Sequence, residues 1–96
     1  MDRAPERTTA DNPASLSALV ERVPEGWTRV IFGGRPYGLS RTTRIGGRVV
    51  TITAEELGGV DLVSANVYRT TAADHLRPCE VPEMKVLDFL RRWELQ

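Results

Sequence analysis

The sequence holds little that marks a chemistry. Its 96 residues include one cysteine (Cys79), one histidine (His75) and one lysine (Lys85). A lone cysteine excludes an internal disulfide framework. One Cys and one His among scattered carboxylates supply no zinc or calcium spacing, so no metal and no cofactor are expected. No Walker-type glycine loop is present; the pairs Gly33-Gly34, Gly46-Gly47 and Gly58-Gly59 suit hairpins better. No apolar run approaches the roughly 20 residues of a membrane span. Met1 to Pro13 lacks the apolar segment of a secretion signal. No membrane partner is therefore expected, and a reducing cytoplasm is the expected location. Charge of neither sign dominates, because 13 basic residues balance 13 acidic ones and bulk charge names no partner.

What is present points to an α+β fold. Hydrophobic content is 41%, too high for a disordered chain of this length. Residues 1–13 are polar and read as a disordered tail, leaving 14–96 as a single α+β domain. A short helix follows the tail. Asn12 can cap it, Pro13 suits its first turn, and Leu16, Leu19, Val20 and Val23 repeat at helical spacing before Pro24. Strands are predicted near Trp27–Phe32, Tyr37–Ile45, Arg48–Ala54 and Leu62–Thr70, with Leu76–Val81 as a fifth strand or an extended loop. The short connections favour an antiparallel meander of four to five strands. Val50, Ile52 and Ala54 alternate with Val49, Thr51 and Thr53, and Val63, Ala65 and Val67 with Ser64, Asn66 and Tyr68. One set of each should face a core. A C-terminal helix from Pro82-Glu83 presents Val86, Phe89, Leu90 and Trp93 at i, i+3, i+4, i+7, and should pack on one face of the sheet.

Three features are candidates for function. Between Glu25 and Glu55 there is no acid but there are five arginines, Arg29, Arg35, Arg41, Arg44 and Arg48. On a hairpin with Tyr37 nearby they could track a phosphate backbone; alternatively they are a solvated edge that discourages aggregation. Asn66 and Tyr68, with Ser64, share one strand face and could line a binding surface or be its wet side. Cys79 stands four residues from His75, just ahead of the last helix. A thiolate nucleophile with a histidine base is conceivable there, against a plain buried cysteine. Glu55 and Glu56 are adjacent on a strand, so they point to opposite faces and do not form one acid–base site.

From Val23 to Trp93 the chain resembles a family of small bacterial proteins. The matching residues include Gly26-Trp27, Gly34-Arg35, Tyr37-Gly38, Ala54 to Gly59, Asp61, Asn66, Tyr68, Pro78 to Glu80 and Phe89. Some members are described as peptide methionine sulfoxide reductases. The glycine-cysteine-phenylalanine site and zinc-cysteine pairs of such enzymes are absent here, so the resemblance implies a fold and brings no activity. Ser15 to Gly33 is similar to the middle of MbtH-like proteins, which accompany adenylation domains of non-ribosomal peptide synthetases. That implies an accessory role, although Ser17-Ala18 stand where those proteins have Trp-Pro. Strands followed by a helix also resemble the single-strand DNA-binding coactivator and Whirly folds, which work as dimers or higher assemblies.

With no constellation of catalytic groups, the expected function is a non-enzymatic binding or adaptor module acting through its sheet surface. The expected partners are a second copy in a homodimer and a protein. Single-stranded nucleic acid on the basic hairpin ranks behind them, and a thiol enzyme using Cys79 and His75 behind that.

Overall fold

The computed structural model describes residues 15–96; the tail expected over 1–13, with Asn12 and Pro13, lies outside the described residues. The chain runs α1 (Leu16–Glu21), β1 (Gly26–Phe32), β2 (Arg35–Arg44), β3 (Val49–Glu56), β4 (Leu62–Arg69), β5 (Asp74–Pro78), α2 (Glu83–Arg92) and β6 (Glu94–Leu95). The fold is α+β. All six strands form one antiparallel sheet in the order β5-β4-β3-β2-β1-β6.

Local chemistry explains the elements. Ser15 takes the capping role, its hydroxyl accepting from the Ala18 amide at 3.1 Å. Gly33 and Gly34 join β1 to β2 in a two-residue turn, with φ of 61° and 80°. Two successive positive φ values are what a tight hairpin matched to strand twist demands. Helix α2 starts one residue after Pro82, which is its N-cap, with Glu83 in the positively charged first turn. The expectation of four to five strands falls short by one. After Trp93 the backbone turns extended and Glu94–Leu95 pairs with Val30–Ile31 at the edge of β1. Two residues are too few to show a period, so no pattern announces this strand.

The strand register sorts side chains onto two faces. Val30, Leu39, Ile52, Ala65 and Leu76 point to one side, with Tyr37, Val50, Ala54, Val63 and Val67. Both helices cover that side. Leu19, Val20, Val23, Val86, Phe89, Leu90 and Trp93 join the strand residues in one buried cluster. At its centre Phe89 of α2 meets Phe32 at 4.7 Å and Tyr37 at 5.3 Å between ring centroids, and those two rings meet edge-on at 5.7 Å. Contacts of this kind hold α2 to the first hairpin beyond simple area burial.

The loop after β3 is a lock on the same side. Glu56 folds back so that its carboxylate takes Arg35 at 2.9 Å and the Asp61 amide at 3.3 Å. A Cβ on Gly59 would lie 2.3 Å from that carboxyl carbon, so a larger residue there would require the Glu56 carboxylate to shift. Asp61 in turn accepts from Tyr37 at 2.6 Å and from Lys85 of α2 at 2.5 Å. The hydrogen bond from Lys85, then that from Tyr37, holds the Asp61 carboxyl below its ordinary value of 3.8. Burial, then the bond to Asp61, pushes the Tyr37 hydroxyl above its ordinary 10.0.

Each shift has a sign for stability. Asp61 contributes fully above 3.8, and the contribution is lost as pH falls through its lower folded value. Tyr37 contributes fully below 10.0, and that is lost as pH rises towards its higher folded value. Asp61→Asn keeps the shape but replaces a charged acceptor by a neutral one. It is expected to cost about 1 kcal/mol at neutral pH and to flatten the acid limb of a urea-denaturation series. An unchanged acid limb would show that other carboxylates set it.

Candidate functional site

Among the described residues, no helix lies on the other side of the sheet. Its side chains follow from the same register as five cross-strand rows. The middle row runs Trp27, Ser40, Thr53, Ser64. Beside it lie Thr42, Thr51, Asn66 and Arg77, and then Arg44, Val49, Tyr68 and His75. In the opposite direction come Arg29, Gly38, Glu55 and Leu62, and last Ile31 with Pro36 and Glu94. The face is thus a band of small hydroxyl and amide groups, with one aromatic ring on β1 in the middle row and another on β4 in an outer row.

Those rings are unusually open to solvent. Trp27 is 61% exposed and Tyr68 41%. The Trp27 indole lies across Gly38, where a Cβ would come within 2.6 Å of Nε1. Gly38 therefore lets the ring rest on the β2 backbone with its outer side bare. Hydrogen bonds order the band between the rings. Arg44 donates to the Thr51 hydroxyl at 2.9 Å, and that hydroxyl donates to Asn66 Oδ1 at 2.7 Å. Thr53 and Ser64 hydroxyls stand 3.5 Å apart. The Arg44 guanidinium is thus drawn over the sheet rather than away from it.

The sequence-derived candidates separate on this structure. Asn66 and Tyr68 lie on the bare face, one and two rows from Ser64 in the middle row. Of the five arginines, Arg29 and Arg44 share that face, and Arg48 lies in the β2–β3 turn. Arg35 and Arg41 do not. Both have the parity of Tyr37 and Leu39, on the helix-covered side. Arg35 pairs with Glu56, while Arg41 donates to the Val20 and Val23 carbonyls at 3.0 and 3.1 Å, closing the end of α1. Tyr37 is buried and unavailable to a ligand. The basic hairpin is therefore divided between two faces.

Cys79 is exposed rather than buried. Its amide donates to the Ser64 carbonyl at 2.9 Å, which prolongs the β4–β5 ladder by one residue. His75, four positions before Cys79, pairs with Tyr68. Four extended residues span about 13 Å, too far for a thiol–imidazole hydrogen bond. Among the described residues, no three side chains of His, Cys, Asp or Glu gather as metal ligands would. Also among them, no helix is long and apolar enough to cross a membrane. A cleft of about 510 Å³ lies beside Arg22, Gly33, Gly34, Arg91 and Trp93. Arg22 is already spent within it, bonding to the Leu90 and Trp93 carbonyls at 2.7 and 3.0 Å and stacking on the Trp93 ring.

Sequence reasoning passed over Trp27 and Arg77. The signal for Trp27 was its parity opposite to Val30. For Arg77 it was the placement of β5, which the residue pattern left open between strand and loop. No protein-family model, curated protein or solved structure matches this chain.

Proposed function

We propose that this protein is a non-enzymatic binding module whose ligand lies on the bare face of the sheet. One observation carries the reading. Among the described residues, both helices pack on the same side, and the opposite side presents two exposed aromatic rings joined by an ordered hydroxyl and amide band. A sheet face that served only as a wet surface would have little use for an indole laid flat over a glycine. Exposed aromatic surface with polar groups between is the usual composition of a recognition site.

The test compares material that co-purifies with the tagged protein, its Asn66→Ala/Tyr68→Ala variant and an Arg92→Ala control on the covered side. Proteins or nucleic acids retained by the control and lost from the double variant are the expected outcome. Retention of every one of them by the double variant would overturn the reading. A homodimer belongs to the same reading, and light scattering decides it; a monomer would remove the pairing and leave one ligand face per chain.

A further inference from the structure

We infer that the ligand of the bare face is single-stranded nucleic acid, with bases stacked on Trp27 and Tyr68 and phosphates beside Arg44 and Arg77. This rests on the reading of that face as the binding surface and adds the identity of its partner.

The spacing comes first. Trp27 on β1 and Tyr68 on β4 are three strands and two rows apart, about 20 Å at ordinary sheet dimensions. An extended single strand crosses that distance in a few nucleotides, within the length a single sheet domain can engage. The diagonal between the rings passes over Ser40, Thr51, Thr53 and Asn66, which are small and carry donors and acceptors for base edges. Stacking on aromatic rings tolerates any base, because every base has a π-face.

Charge then selects among polymers. The chain is neutral as a whole, yet five of its described acids are paired off this face. Glu21 pairs with Arg69, Glu25 with Arg41, Glu56 with Arg35, Asp61 with Lys85 and Asp88 with Arg92, all off this face. Among the described residues, the carboxylates the register puts on the face, Glu55 and Glu94, lie in the rows beyond Trp27, at the end away from Tyr68. Among the described residues, the register around Tyr68 places Arg44, His75 and Arg77 and no acid on this face; at the sheet edge His75 and Arg77 also line a cleft with Asp74 and Glu83. A neutral polymer would not need the guanidinium groups of Arg44 and Arg77. An acidic peptide would meet them but leave the two rings without planar partners. A duplex hides its bases from both rings.

The experiment is a fluorescence-anisotropy titration of labelled dodecathymidylate with the full chain, between about 50 and 200 mM salt. Binding should weaken as salt rises. Tyr68→Ala should lose on the order of tenfold in affinity while Tyr68→Phe keeps it. Arg44→Ala/Arg77→Ala should lower the slope of log affinity against log salt by about 1.4, for two phosphates on a single strand. No binding, binding indifferent to salt, or full affinity in Tyr68→Ala would each overturn the inference. So would equal binding of polyglutamate, which needs only the arginines. If dodecathymidylate fails while Asn66→Ala/Tyr68→Ala still sheds its co-purifying partners, the ligand class is wrong and the binding face stands. If the double variant sheds nothing, both readings fall.

Discussion

Phe89→Ala is expected to lower the unfolding free energy by about 3–5 kcal/mol, the largest single effect in this fold. Phe89 is 1% exposed and packs against Phe32 and Tyr37 as the contact between α2 and the first hairpin. Truncation removes the transfer free energy of the ring and opens a cavity that two neighbouring rings cannot easily fill. It also ends two aromatic contacts. Small domains are stable by only about 5–15 kcal/mol, so the variant would keep a fraction of its stability. At several degrees per kcal/mol the thermal midpoint should fall by about 12 °C or more. Phe89→Leu should recover a good part of the loss, because volume is largely restored. A loss under about 1 kcal/mol in urea titration would mean that α2 does not rest on this hairpin.

Arg41→Ala is expected to cost about 2 kcal/mol and to leave ligand affinity unchanged. The side chain is 12% exposed. It supplies donors to the Val20 and Val23 carbonyls and to Thr43, and lies 3.4 Å from Glu25. Removing it strands the carbonyls at the end of α1 and takes away a charge-assisted partner. Arg41→Lys should not rescue, because a single ammonium cannot reproduce the fork that reaches two carbonyls and a hydroxyl. The contrast with Arg44→Ala is the informative part. Arg44 lies on the bare face, so its loss should weaken binding with little change in stability. If Arg41→Ala instead spared stability and weakened binding, the assignment of β2 side chains to faces would be reversed.

Most of the scaffold was legible before any coordinates. The spacing of Val86, Phe89, Leu90 and Trp93 identified α2 and its buried stripe, and all four are buried in the fold. Alternation in β3 and β4 separated two sets of residues, one of which faces the core; the structure shows it to be Val50, Ile52 and Ala54 with Val63, Ala65 and Val67. The same alternation put Ser64, Asn66 and Tyr68 on the other side. These signals are local, and an amphipathic period survives in one dimension. The five arginines show where one-dimensional reading stopped. Their sequence clustering suggested a single patch, yet strand parity sends Arg41 to the side of Leu39 and Arg44 to the side of Ser40. That parity was readable. The destination of Arg41, the end of a helix 18 and 21 residues upstream, was not, because it depends on tertiary placement. The rest of the candidate site is cross-strand geometry. Trp27 gains its seat from Gly38, and Arg77 its place beside Asn66, only once strands are in register.

Among the described residues, helices cover one face of the sheet and leave the other bare. Solvent paramagnetic relaxation measured on the free, isotopically labelled chain with a neutral gadolinium chelate tests it directly. A bare face predicts strong relaxation of the Trp27 indole, the Asn66 side-chain amide and the Tyr68 ring. Val30, Leu39, Ala65 and Val67 should be shielded. Shielding of Trp27 and Tyr68 at dilute concentration would contradict the claim, because the proposed ligand face would then already be covered in the free protein.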